Sequence, residues 1–86
     1  MDYNFLRDYS LVGMEFYHVQ EYEETGVVYT IRDMDDKYID IEWVDPEDHE
    51  TEYSYIALDD FITHLNKGFY VLVGEDKKMS FLDQIW

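Results

Sequence analysis

The side chains of this sequence that could do acid–base chemistry are its carboxylates. Asp40 and Glu42 are two residues apart in "YIDIEWV", which places them roughly 6.7 Å apart on one face of a strand. That spacing could serve a glycosidase-like pair, but such catalysis needs two titratable groups held in different environments. Carboxylates in turns and on outer strand positions are hydrated alike. The sequence therefore predicts no catalytic pair.

The three histidines and the acidic stretches are the other candidates for a metal or catalytic site. His18, His49 and His64 form no H-x-H or H-E-x-x-H spacing. The stretches "DMDDK" and "DPEDHETE" lack the loop glycine and distant glutamate of a calcium loop. Asp60 and His64, four apart on a predicted helix, are typical of a solvated pair. There is no cysteine and no phosphate-cradling glycine pattern. We predict no enzyme, no metal site and no cofactor.

Charge is the most informative property of the chain. Twenty-one Asp and Glu oppose six Lys and Arg, for a formal net charge of −15. Small domains need a net charge of only about 2 to 8 for solubility. Direct binding of nucleic acid is strongly disfavoured, because phosphate contacts need Lys and Arg. Anionic membranes are disfavoured for the same reason. The natural complement is a basic partner.

Size and composition predict one domain over residues 1–86, with 47% hydrophobic and 19% aromatic residues. The start "MDYNFLRDYS" lacks the pattern of a secretory signal, and no apolar run approaches the roughly 18 residues of a membrane span. The absence of cysteine suits a reducing compartment. We expect a cytoplasmic protein, in the host cytoplasm if a phage encodes it.

Hydrophobic periodicity predicts the elements that position the acidic residues. Residues 3–9 are compatible with one or two helical turns, and "MEFYHVQEY" predicts a first strand that ends in the turn "YEETG". "VVYTIRD" and "YIDIEWV" alternate as half-buried antiparallel strands, with Ile31 placed opposite Ile39. "DMDDK" forms the turn between them.

The next hairpin sets the predicted acidic face. Placing Val44 opposite Glu50 aligns Glu42 with Glu52, and Asp40 with Ser54, on the outer face. The same register aligns Tyr53 with Ile41 and Tyr55 with Ile39 on the side of the core. A shift of one residue would turn Glu52 towards the side of Trp43, so the hydrophobic pattern favours the first register.

After this hairpin the pattern changes to that of a helix. Leu58, Phe61, Ile62 and Leu65 have the spacing of an amphipathic helix, with Gly68 placed as its C-terminal cap. "FYVLV" predicts a final strand, and Phe81, Leu82, Ile85 and Trp86 recur at helical spacing in the tail. We predict an α+β domain of order β-β-β-β-α-β with short terminal helical segments. Its antiparallel sheet is curved, and closure into a small SH3-like barrel is an alternative to an open sheet.

The predicted partner-binding surface is acidic and lies on the central hairpin, its loop and the preceding turn. Its carboxylates are Asp33, Asp35, Asp36, Asp40, Glu42, Asp45, Glu47, Asp48, Glu50 and Glu52. Tyr38 and Tyr53 are predicted as rigid contacts within or beside it, and Trp86 as a further aromatic contact. Like charges opposite each other destabilise a sheet, so a facing pair Glu42–Glu52 indicates selection for a basic partner. Acidity for solubility alone is the alternative.

In general character the chain resembles the small acidic DNA-mimic proteins that phages and bacteria use against nucleases, restriction enzymes, CRISPR effectors or nucleoid proteins. The likeness is carried by "IDIEWVDPEDHETEY" and "DMDDK", and it concerns charge and size, without a shared motif. It implies an inhibitor or modulator that occupies the basic site of a nucleic-acid-binding protein.

A second hypothesis comes from a different class of function. In it, the chain is a protein–protein interaction module that uses its aromatic tail as the hot spot, and its acidic surface serves solubility only. The same tail residues could instead cap the core. Neither hypothesis predicts an oligomeric state.

Overall fold

A computed structural model describes residues 2–73 of the chain. Five strands, two α-helices and one 3-10 helix follow one another along these residues. They are the 3-10 helix Tyr3–Asp8, β1 Glu15–His18, α1 Val19–Thr25, β2 Tyr29–Met34, β3 Tyr38–Val44, β4 Thr51–Ala57, α2 Leu58–Lys67 and β5 Tyr70–Val73. The predicted order of four strands, a helix and a fifth strand is confirmed, with α1 as an addition. The predicted C-terminal helical segment lies outside the described residues.

The five strands form one antiparallel sheet in the order β4-β3-β2-β1-β5. The predicted α+β class is therefore confirmed. The sheet is open, because β4 and β5 are its two edges and do not pair within residues 2–73, so the alternative of a closed SH3-like barrel is wrong. Helix α2 connects these two edges and must cross one face of the sheet to do so. We call that side the inner face and the opposite side the outer face.

The core lies between the inner face and α2. Phe61, Ile62 and Leu65 of α2 are buried together with strand residues such as Phe16 and Ile41. The helix ends as predicted, because Gly68 adopts φ +82° and its N–H donates to the carbonyl of Leu65. The apolar spacing seen in the sequence is thus the buried stripe of the helix.

The first strand is shorter than predicted. It ends at His18, whose Nδ1 accepts a hydrogen bond from the N–H of Glu21 at 3.4 Å and so caps α1. Gly26 ends this helix with φ +74°. The helix-forming run of Gln and Glu between these two caps explains why residues 19–25 form a helix where the sequence predicted the end of a strand and a turn.

The predicted pairing of Ile31 with Ile39 is wrong by two positions. Ile31 pairs with Ile41, and Met34 pairs with Ile39, because a β-bulge at Arg32 interrupts the ladder. Without the bulge, the register set by the tight turn would place Arg32 opposite Ile41, facing the core. The extra residue lets Ile31 occupy that place and keeps Arg32 on the outer face.

The predicted pairing of Val44 with Glu50 is wrong by one position. Val44 pairs with Thr51, because the loop closes with the N–H of Asp45 donating to the carbonyl of Glu50 at 2.8 Å. The loop comprises the six residues 45–50, and His49 within it adopts a left-handed backbone conformation with φ +61°. A one-residue shift exchanges the two faces of β4. Glu52 therefore lies opposite Trp43, and Tyr53 opposite Glu42.

Candidate functional site

The outer face of strands β2, β3 and β4 carries a mixed acidic and aromatic surface, which we call the outer strip. The strip comprises Arg32, Asp33, Tyr38, Asp40, Glu42, Tyr53 and Tyr55. Strand alternation places Tyr38, Asp40 and Glu42 on one side of β3. Their cross-strand partners on β2 and β4 lie on the same side of the sheet. No described element covers this side of the sheet.

A repulsive carboxylate pair is present on the outer strip, but it is not the predicted one. Asp33 and Asp40 are direct cross-strand partners, and both are exposed. Glu42 and Glu52, predicted as the facing pair, lie on opposite faces of the sheet. The repulsion that indicated a selected surface is thus located at the β2–β3 pair.

Glu42 is partly neutralised, in contrast to Asp40. Arg32 Nε lies 3.3 Å from Glu42 Oε1, and the Arg32 guanidinium lies 4.6 Å from the centre of the Tyr53 ring. Both members of the ion pair are partly solvated, so its contribution to stability is small, about 0–1 kcal/mol. It nevertheless orients Glu42 and Tyr53 as one unit on the outer strip.

Three tyrosines on the outer strip are exposed. The exposed fraction is 44% for Tyr38, 58% for Tyr53 and 66% for Tyr55. Tyr38 and Tyr55 contact each other edge to face, with ring centres 5.4 Å apart. Tyrosine offers a large rigid contact area with little loss of side-chain entropy, and it is enriched at interaction hot spots. Tyr55 was predicted to face the core and was therefore missed.

The β3–β4 loop places a second acidic group at one end of the outer strip. Carboxylate oxygens of Asp45, Asp48 and Glu52 all lie within 4.8 Å of one another. Glu47 and Glu50 are exposed in the same loop. Asp45 Oδ1 also accepts the N–H groups of Glu47 and Asp48 at 2.8 and 3.3 Å. Exposed carboxylates gather in such loops without a metal, so we assign no ion to the cluster.

The β2–β3 turn forms the acidic group at the other end. Asp35 Oδ1 accepts the N–H groups of Lys37 and Tyr38, each at 2.7 Å. These two hydrogen bonds favour the charged form and lower the pKa of Asp35 below its ordinary value. Asp35 is therefore ionised under physiological conditions. Asp36 is exposed beside it.

The ten predicted carboxylates do not form one face. Asp33, Asp40 and Glu42 share the outer strip, while Asp35 and Asp36 occupy the turn at one end. Most of the others occupy the loop at the opposite end, and Glu52 lies on the inner face of β4. The prediction that Glu50 and Glu52 share a face with Asp40 is thus wrong. Trp86 and the other aromatic residues of the tail lie outside the described residues.

The histidines do not gather into one cluster. His18 caps α1, His49 lies in the β3–β4 loop, and His64 Nδ1 lies 2.6 Å from the carbonyl oxygen of Asp60. His64 therefore contacts the backbone of Asp60, while the sequence had suggested a pair of side chains.

Sequence reasoning missed a cavity on the inner face, at the end of the sheet beside α1. Its volume is about 290 Å³, and its lining includes Phe16, Tyr29, Trp43 and Tyr70, together with Glu21. The strand alternation in the sequence already places Tyr29 and Trp43 on the same inner face, and this was the one sequence signal for the cavity. Glu21 could not be placed, because its segment was not predicted to be helical.

No helix within residues 2–73 has the length and apolar character needed to cross a membrane. No protein-family model, curated protein or solved structure matches the chain.

Proposed function

We propose that this protein is a non-enzymatic binding protein of the DNA-mimic type. Its outer strip and the two flanking acidic loops engage the basic groove of a nucleic-acid-binding protein, such as a nuclease, a restriction or CRISPR effector, or a nucleoid protein. The observation that carries the proposal is the uncovered outer strip, where unneutralised carboxylates surround exposed tyrosines. Occupation of the groove would inhibit or modulate that protein in the cytoplasm.

The amount and spacing of charge support this proposal. Strand β3 spans seven residues, so the outer strip is roughly 23 Å long. One strand of duplex DNA presents about seven phosphates over that distance. Residues 32–50 hold nine carboxylates and two cations, for a net charge of −7. The total charge of the strip and its two loops is therefore close to that of seven phosphates, and it extends beyond both ends of β3.

The accessibility of the charge also supports it. Among residues 2–73 no polar or charged residue is buried. The two ion pairs within this part of the chain are Arg7–Asp59 and Arg32–Glu42, so Asp33, Asp36 and Asp40 have no ion-pair partner among these residues. The electrostatic field of such a surface attracts a basic partner over a long range and raises the rate of association. The tyrosines then supply contact area that phosphates would not.

The test is capture of the partner and competition by DNA. The immobilised protein is exposed to a nuclease-treated lysate, and bound proteins are eluted with a salt gradient and identified by mass spectrometry. We expect a basic nucleic-acid-binding protein that elutes with rising salt and is displaced by duplex DNA. A partner that stays bound at high salt and ignores duplex DNA would contradict the proposal.

Matched variants test which surface is used. The triple variant Asp36→Asn, Asp40→Asn, Glu47→Gln removes three exposed charges whose carboxylates accept no hydrogen bond from the described residues. The control variant Asp8→Asn, Glu23→Gln, Glu24→Gln removes the same charge outside the strip and its loops. Capture should fall for the first variant and persist for the control. Equal loss in both would indicate that only net charge matters.

A further inference from the structure

The cavity on the inner face has the composition of a site for an organic cation. Four aromatic rings contribute to its lining, one from each of strands β1, β2, β3 and β5, and Glu21 of α1 contributes a carboxylate. Its volume of about 290 Å³ is at the lower end of the range for ligand pockets. The cavity and the outer strip lie on opposite faces of the sheet, so this inference is independent of the proposed function.

The rings are held in place by contacts with one another. Phe16 stacks on Tyr29 with ring centres 5.4 Å apart, and Tyr29 meets Trp43 edge to face at 5.1 Å. Phe16 also lies 5.0 Å from Tyr70, which stacks on His64 at 4.9 Å. Rings that contact one another in this way are held in place before a ligand arrives, so binding costs little side-chain ordering.

Among residues 2–73, Glu21 supplies the one carboxylate in the lining of this cavity. Its Oε1 accepts a hydrogen bond from the Tyr29 hydroxyl, which fixes the carboxylate beside the ring. Neither ion pair within residues 2–73 includes Glu21. The anion therefore has a neutral hydrogen-bond donor but no cationic partner in the described part of the chain.

Two further polar groups in the lining are the hydroxyls of Tyr29 and Tyr70. Burial raises the pKa of Tyr29, and the hydrogen bond to Glu21 and the charge of Glu21 raise it further. Burial also raises the pKa of Tyr70, with smaller contributions from the charges of Glu21 and Asp60. Both hydroxyls thus stay protonated at physiological pH. His18 Nδ1 accepts a hydrogen bond from the Glu21 N–H.

We propose that this cavity binds an alkylated ammonium group, with the aromatic rings against its alkyl groups and the Glu21 carboxylate opposite its charge. Aromatic rings attract such cations through their quadrupole, and a nearby carboxylate adds a direct charge interaction. The cation can come from a free small molecule or from a methylated lysine side chain, since both present the same group.

Calorimetric titration of the full chain with choline tests the proposal. Its matched control ligand is 3,3-dimethylbutan-1-ol, which has the same shape without the charge. We expect saturable binding of choline and at least about tenfold weaker binding of the neutral analogue. A trimethyl-lysine peptide forms a second arm: binding of this peptide alone identifies the side-chain source. If neither cation binds up to about 10 mM, or if the neutral analogue binds equally well, the proposal is overturned.

Variants locate the site. Glu21→Gln keeps the shape and a hydrogen-bond acceptor for Tyr29 while removing the charge, and it should raise the dissociation constant about tenfold. Trp43→Leu should have an effect of similar size through loss of the ring. Glu23→Gln, on the same helix but outside this cavity, should leave the constant unchanged. If Trp43→Leu fails to fold, Glu21→Gln remains decisive, and an unchanged constant in that variant would refute the assignment.

Discussion

The Asp33–Asp40 pair predicts that removing a charge from the outer strip stabilises the fold. Cross-strand partners lie about 5.5 Å apart, and two like charges at that distance in water repel by about 0.8 kcal/mol. Asp40→Asn is the suitable substitution, because Asp33 also accepts a hydrogen bond from the N–H of Met34 at 2.8 Å. The free energy of unfolding of Asp40→Asn should therefore rise by about 0.5–0.8 kcal/mol at low salt.

Urea denaturation at two salt concentrations measures this effect. At 1 M salt the Debye length is about 3 Å, so the gain should fall below about 0.2 kcal/mol. Glu24→Gln, which removes one exposed charge from α1, measures the part of the gain that comes from the net charge of −15 alone. In an Asp33→Asn background, the part of the stability gain that comes from the Asp33–Asp40 repulsion should vanish. A gain from Asp40→Asn that equals that of Glu24→Gln, or that persists in this background, would refute the pairing argument.

Three further predictions concern the register, the core and pH. Deletion of Arg32 should leave a folded protein, because removal of the bulge residue restores a regular ladder with Ile31 still opposite Ile41. Amide NMR spectra measure this, and loss of the chemical-shift dispersion of a folded protein would contradict the bulge. Phe61→Ala should lower the free energy of unfolding by about 3–5 kcal/mol, whereas Tyr55→Ser should change it by less than about 1 kcal/mol, and equal losses in urea denaturation would contradict the register of β4. The pKa of Tyr29 is raised in the folded state, so the stability from its neutral form is complete below pH 10 and lost as pH rises further. Tyr29→Phe should then show a shallower alkaline loss in denaturation from pH 9 to pH 11, and an unchanged slope would contradict it.

The elements of the fold were mostly predictable because their signals are local. The period of Leu58, Phe61, Ile62 and Leu65 indicates a helix wherever it occurs, and the burial of all four follows from it. The alternation of Ile39 and Ile41 likewise placed β3 correctly between buried and exposed faces. The short helix α1 was not predictable from periodicity, because it depends on capping by His18 and Gly26.

The two registers were not predictable, since each depends on the backbone of a loop or bulge. Tyr53 and Tyr55 alternate like core residues, so the sequence favoured the register that would have buried them. The conformation of the Asp45–Glu50 loop turns both outwards and directs Glu52 to the side of Trp43. The candidate site changed accordingly, from a row of carboxylates on one hairpin face to an outer strip with tyrosines and an acidic loop at each end.

The most direct test of the proposed function is the salt dependence of binding to the purified partner. With duplex DNA as competitor, we expect the dissociation constant to rise at least about tenfold from 50 to 300 mM salt and the DNA to displace the protein completely. The Asp36→Asn, Asp40→Asn, Glu47→Gln variant should bind more weakly and with a shallower salt dependence than the Asp8→Asn, Glu23→Gln, Glu24→Gln control. Affinity that is constant over this range, with DNA and the protein bound at the same time, would contradict the account.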